Sequence, residues 1–229
     1  MARERAARGI GKGVTGAPRI APLEAHEISD ELAGLLASMI AINAVVGSRE
    51  AETLTDLEAV DLNDDAASDT RAMLANLPEI MRTMLRHPAL FTQLANTGLQ
   101  LLGHGALPGR DRELAILRIG WLCRAPYEWG EHVLIAKKHG VTSTEIEAIT
   151  TGSTAPGWSE HDRAILRAAE ELYADATISD ATWATLAARY DDRQLIELPV
   201  VIGQYQAVAY YQNALRLRLH HDNPGLSAR

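Results

Sequence analysis

The chain has 229 residues, 47% of them hydrophobic, and a formal net charge of −8. That size supports one domain with a real core, with or without a helical arm, and the acidic balance argues against nucleic-acid backbone as a partner, which calls for a basic face. No apolar run reaches the roughly 18 residues of a membrane span, the N-terminus lacks the apolar stretch of a secretory signal, and the single cysteine, Cys123, leaves no intrachain disulfide; a cytoplasmic protein is expected.

In chain order, residues 1–17 read as a disordered basic tail. Arg3, Arg5, Arg8 and Lys12 are interleaved with Gly9, Gly11, Gly13 and Gly16, which oppose a stable helix. Pro18 and Pro22 mark an extended stretch. Ser29 then reads as a cap for a helix from Glu31 to about Val45, with Leu32, Leu35, Leu36, Met39 and Ile40 at helical spacing. The acidic stretch 47–68 reads as a loop with a short helix near 54–60. A helical region from Asp69 carries Met73, Leu74, Leu77, Ile80, Met81 and Leu85 and is interrupted at His87-Pro88.

Helices are then expected at Ala89–Leu102, Asp111–Arg124, Tyr127–His139, Thr144–Thr150, Glu160–Tyr173, Asp180–Tyr190 and Asp192–His220. Gly140 is placed to stop one of them, Ser143 or Thr144, Ser159 and Ser179 to cap others, and Pro199 to kink the last. Strand signals are nearly absent, so the expected fold is all-α with about eight to ten helices. Residues 18–220 read as a single helical domain and 221–229 as a C-terminal tail.

The helix Asp111–Arg124 is apolar almost all round, which suits a position inside the protein or an oligomer. Glu113 falls in its first turn, where a carboxylate complements the positive helix end. Pro126 ends this helix and starts the next, which carries Tyr127, Glu128, Trp129 and His132. Glu128 and His132 are four apart and share a face. A carboxylate beside a histidine fixes the imidazole tautomer and steadies the charged ring, which makes a proton-transfer unit.

The residues Arg112-Glu113-Leu114, Trp121-Leu122 and Tyr127-Glu128-Trp129-Gly130-Glu131-His132-Val133 resemble the carboxymuconolactone decarboxylase family, whose fold is that of alkylhydroperoxidase D. The resemblance continues through Gly140-Val141, Trp158, the 162–172 helix, Thr182-Trp183 and Gly203-Gln204-Tyr205. It implies an all-α, alkylhydroperoxidase D-like orthogonal bundle that assembles as a homo-oligomer: a dimer, trimer or hexamer. The peroxidase branch has a glutamate nineteen residues before the histidine, where Glu113 stands, and two cysteines seven and four before it. Here those positions are Ala125 and Glu128. Without the cysteine pair there is no dithiol to cycle. The decarboxylase branch carries a glutamate four before the histidine, as Glu128 does.

The resemblance thus implies a cofactor-free lyase of the decarboxylase type acting on a small oxygenated carboxylic acid or lactone, with His132 as proton shuttle and Glu128 and Glu113 as its partners. A hydratase, dehydratase or isomerase on the same site is the alternative, as are a thiol-dependent peroxidase using Cys123 and a non-catalytic helical binding oligomer. Cys123, in an apolar helix, reads first as a buried structural thiol. In a tight hairpin pivoting at the proline, Glu113 and His132 would be offset by roughly 9 Å along the axes, which favours Glu128 as the local partner.

Substrate contacts are expected from Tyr127 and Trp129 beside the dyad, His104 in the preceding glycine-bounded loop, Arg112, whose guanidinium matches a carboxylate, and Tyr205 on the last helix. Pairing with helix-surface acids is the other role open to Arg112, core packing to the two aromatics, a solvent-exposed loop position to His104, and a subunit interface to the polar face of the last helix that carries Tyr205. His132 and His139 stand seven apart with no compact ligand cluster, so no metal is expected.

Overall fold

A computed structural model describes residues 16–27, 29, 77–219 and 223–229. The basic tail up to residue 15, the expected helix 31–45, the acidic stretch 47–68 and the start of the helical region at Asp69 lie outside the described residues. Eight α-helices and no strand are present among the described residues. These residues divide into two compact units, 18–104 and 105–229, the few residues before Pro18 going with the second.

In the first unit, α1 (Glu79–Met84) and α2 (Pro88–Gly103) follow a 3-10 turn at Ala25–Glu27. Pro88 occupies the first turn of α2, where its missing N–H costs nothing, and the His87 ring accepts from the Leu90 N–H at 3.3 Å. Arg86 ties the N-terminal segment down through Glu27 and the Ala21 carbonyl.

The second unit holds α3 (Gly109–Leu122), α4 (Pro126–Lys138), α5 (Ser143–Thr151), α6 (Glu160–Asp175), α7 (Asp180–Ala187) and α8 (Asp192–Leu215). α3 is the central element and packs against α4, α5, α6 and α8. Its residues Leu114, Ala115, Ile116, Leu117 and Ile119 are wholly buried, as its all-round apolar sequence predicts. Arg118 is also buried there, with Glu170 and the last carbonyls of α5 as partners.

Ser159 and Ser179 cap α6 and α7 through their hydroxyls. The cap of α5 is Thr142, not Ser143 or Thr144. Thr142 and Glu145 close a reciprocal capping box, with Glu145 accepting from the Thr142 N–H at 2.8 Å. α8 runs through Pro199 and ends at Leu215 rather than His220. Arg216 turns to a φ of 56°, and the Leu217 N–H reaches back to the Gln212 carbonyl, which closes the helix.

The C-terminal residues, expected as a tail, pack on α4. Asn223 sits over Gly130 and donates to the Tyr127 carbonyl and to Glu131. The Trp129 indole N–H donates to the Ala228 carbonyl at 3.1 Å, and the Arg229 guanidinium lies over the rings of Trp121 and Trp129.

Candidate active site

The site is built on the α3–α4 hairpin. After Leu122 the chain reverses in three residues, with Arg124 at a φ of 52° and the Ala125 N–H bonded to the Gly120 carbonyl. Two glycines let the helices approach. A Cβ on Gly120 would stand 2.7 Å from a Glu128 carboxyl oxygen, and one on Gly109 would collide with the His139 ring. Both facing pairs are centred on Arg124, two residues before the proline.

That register decides which residues meet. Glu113 lies eleven residues before Arg124 and His132 eight after it. The offset is then three residues, about 4.5 Å, which two long side chains span. Oε2 of Glu113 is 2.7 Å from Nδ1 of His132. The expectation that Glu128 is the histidine's partner is therefore overturned. Neither oxygen of the Glu128 carboxyl has a hydrogen-bond partner among the described residues, although Glu128 is only 2% exposed.

The two carboxyl groups sit in opposite environments. Burial would raise the Glu113 pKa, but the His132 ring and the Arg112 guanidinium outweigh it and hold the group below its ordinary value. Arg112 Nε donates to Glu113 Oε1 at 3.0 Å. Glu128 has no such compensation, and burial pushes its pKa well above the usual carboxylate range. The two environments thus drive the carboxyls apart, Glu113 toward the ionised form and Glu128 toward the protonated one.

Arg112 also reaches Nε2 of His139 at 3.2 Å. A guanidinium has no acceptor, so Nε2 of His139 is the acceptor there and carries no proton. Glu113, for its part, accepts from His132 Nδ1–H, which leaves the Nε2 lone pair of His132 as the basic atom. That Nε2 makes no hydrogen bond among the described residues, and His132 is 6% exposed. The Tyr205 ring stands edge-on to it, with centroids 4.7 Å apart at 86°. Burial, then the nearby Glu113 and Glu128, push the Tyr205 hydroxyl well above its ordinary pKa, so it remains a donor.

The other expected residues take varied places. Tyr127 is half-buried at the start of α4, its phenol pKa raised by burial and by Glu131. Trp129 is wholly buried against Trp121 and the C-terminal residues, a core position. His104 is exposed and belongs to the first unit, at the end of α2. Cys123 is partly exposed, and burial followed by Glu128 pushes its thiol up to about 12.

Two features carry no local sequence signal. The Gln212 side chain on α8 caps α4, its oxygen accepting from the Tyr127 N–H at 3.1 Å. A second buried cluster lies on another side of α3: Asp111 Oδ2 accepts from the Tyr190 hydroxyl at 2.8 Å and meets His161 Nε2 at 3.1 Å. Among the described residues no three His, Cys, Asp or Glu side chains group so as to hold a metal ion, and no helix is long and apolar enough to cross a membrane.

Solved structures share this all-helical, AhpD-like fold. One is a protein of unknown function from Agrobacterium tumefaciens linked to AhpD-type antioxidant defence, at 18% identity and a TM-score of 0.56 over 60% of this chain and 95% of that one. Another is an alkylhydroperoxidase AhpD core, a peroxidase-related protein from Ralstonia eutropha JMP134, at 15% identity and a TM-score of 0.58 over 70% and 88%. A third is the debrominase Bmp8, a cysteine-to-alanine variant in complex with 2,3,4-tribromopyrrole, at 15% identity and a TM-score of 0.63 over 93% and 96%. No curated protein matches the chain. The carboxymuconolactone decarboxylase family model matches residues 88–171, which include Glu113, Glu128 and His132, and the chain carries a domain of that family.

Proposed function

We propose that the protein is an acid–base enzyme of the lyase type, acting on a small oxygenated carboxylic acid or lactone with His132 as the proton shuttle. The observation that carries this reading is the buried Glu113–His132 hydrogen bond, which leaves Nε2 as an unengaged base. Glu113 fixes the tautomer and stabilises the imidazolium formed when Nε2 takes a proton. Arg112 holds Glu113 in place from its other oxygen, so its guanidinium serves the dyad rather than a substrate carboxylate. Glu128, as a neutral acid four residues from His132, donates to the oxygen on which negative charge develops.

Nothing in this step needs a redox partner. Placed proton transfer to or from the carbon skeleton serves all three reactions: decarboxylation breaks the C–C bond to CO2 and protonates the carbon left behind, while dehydration and isomerisation remove a proton from carbon and return one to the leaving oxygen or to another carbon. A thiol route is disfavoured because Cys123 stands without a second thiol and its own is held protonated.

The test is a panel of small unsaturated lactones and oxo-acids scored by mass spectrometry in deuterated water. Loss of CO2 identifies a decarboxylase, and unchanged mass apart from deuterium an isomerase. Full turnover by His132→Ala on the substrate so found removes this reading.

A further inference from the structure

Gln212 is 2% exposed, and its side-chain oxygen accepts from two backbone N–H groups, those of Tyr127 at 3.1 Å and Glu128 at 3.4 Å. Both belong to the first turn of α4, whose N–H groups have no acceptor within the helix. An N–H only donates, so the amide oxygen must face them and the amide nitrogen must face away. That nitrogen is buried and has no partner among the described residues; neither has either oxygen of the Glu128 carboxyl. His132, one turn along α4 on the same face as Glu128, has its Nε2 likewise unengaged. Buried polar groups left unmet are costly and rare. Unmet donors on two touching residues, beside an unengaged base, point to a ligand that supplies the acceptor.

We infer that Gln212 is a substrate-binding residue: its amide NH2 and the Glu128 carboxylic acid together receive an anionic oxygen on an sp2 carbon, a carboxylate or enolate, while the carbon that loses its proton faces Nε2 of His132. The inference rests on the acid–base reading above and adds to it the chemical group the site recognises. In the step, the substrate C–H bond breaks and the proton passes to Nε2. The electron pair passes to the carbonyl oxygen, which becomes the enolate held by the two donors. Nothing is oxidised or reduced.

The probe is 4-nitrophenolate, a planar anion whose charged oxygen sits on an sp2 carbon as an enolate's does. Binding is followed by the phenolate absorbance and by the side-chain amide resonance of Gln212 in 15N-labelled protein. Gln212→Glu keeps an oxygen for both helix N–H groups, where a negative charge is favoured, but it removes the NH2 donor and also adds a charge that repels the probe, so the shift of the wild-type Gln212 amide, not the affinity alone, reports the contact. The wild-type amide resonance should shift on saturation, and Gln212→Glu should bind at least about tenfold more weakly at an unchanged thermal midpoint. Equal affinity in the two proteins overturns the inference. So does wild-type protein that ignores the probe, or binds it without moving the Gln212 amide. Should the variant fail to fold, the wild-type amide resonance decides alone. Turnover by His132→Ala would sink the acid–base reading while leaving the phenolate result, and hence the Gln212 contact, standing.

Discussion

Oε2 of Glu113 and Nδ1 of His132 lie 2.7 Å apart across the α3–α4 hairpin, the ring 6% exposed and the carboxylate wholly buried. This pair and the buried Glu128 form a set in which one carboxyl is driven toward the ionised form and the other toward the protonated one. Environments that drive two titratable groups apart in this way separate a base from an acid at one pH. The chain of contacts extends outward through Arg112 to the exposed ring of His139.

Glu113→Gln should abolish most of the proton transfer. The amide keeps the volume, but it cannot stabilise an imidazolium, and it can turn an N–H toward Nδ1 and move the ring proton to Nε2. A loss of about 10²–10⁴ in turnover is expected, read as deuterium exchange into the substrate; a rate within twofold of wild type would refute the role. The same variant should change acid stability. The lowered Glu113 pKa gives stability that is fully present above the ordinary value of 4.5 and is lost as pH falls through the lowered one. The variant's thermal midpoint should therefore fall less steeply on the acid side.

Cys123→Ser should leave both activity and peroxide handling unchanged. With the thiol near 12, the thiolate at neutral pH is on the order of one part in 10⁵. Wild-type protein should accordingly react with iodoacetamide far more slowly than free cysteine does. Peroxide consumption that disappears in the serine variant would return the thiol reading to first place.

Much of the helical framework was legible because it depends on local chemistry. Pro88, Pro126, Ser159 and Ser179 start or cap helices where their backbone chemistry predicts, and the apolar circumference of α3 announces a central helix. The Thr142–Glu145 capping box was readable too, as a threonine with a glutamate three residues on. The dyad was only half legible. Glu113, Glu128 and His132 were the residues singled out, but which carboxylate meets the ring depends on the hairpin register. That register is set by Gly109 and Gly120, where bare backbone lets a neighbouring side chain come close. Gln212 capping α4 across 85 residues, and Tyr190 meeting Asp111 across 79, have no spacing rule at all. Such pairs exist only once the helices have packed.

Gly130→Ala should release the C-terminal segment. Alanine is favoured over glycine inside a helix by about 1 kcal/mol. At this position, however, a Cβ would overlap the Asn223 side chain, which donates to the Tyr127 carbonyl and Glu131 and accepts from the Gly225 N–H. Displacing it forfeits three hydrogen bonds, each contributing about 0.5–1.5 kcal/mol, and loosens the Trp129–Ala228 bond. The clash should win by about 1–3 kcal/mol. Hydrogen exchange should show residues 223–229 losing protection while α6 keeps its own; protection retained throughout would mean that the strap tolerates the methyl group.

Glu128→Gln should stabilise the protein at neutral pH while weakening its chemistry. Below the ordinary carboxylate value of 4.5, Glu128 is protonated in both folded and unfolded chains and has no effect on the pH slope. As pH rises above 4.5, the unfolded chain releases this proton and the folded one retains it, because burial has raised the folded pKa. Folding stability therefore falls with rising pH, by up to about 1.4 kcal/mol per pH unit, until the folded pKa is reached. Glutamine is neutral at every pH and of nearly the same shape, so the variant escapes that loss. Its thermal midpoint should match wild type near pH 4 to within about a degree or two and exceed it progressively toward pH 7. Its turnover should fall, since an amide is a weaker donor to a developing oxyanion than a carboxylic acid. A variant with the wild-type pH slope would show that Glu128 is ionised in the folded protein, and the donor role assigned to it would fall with that result.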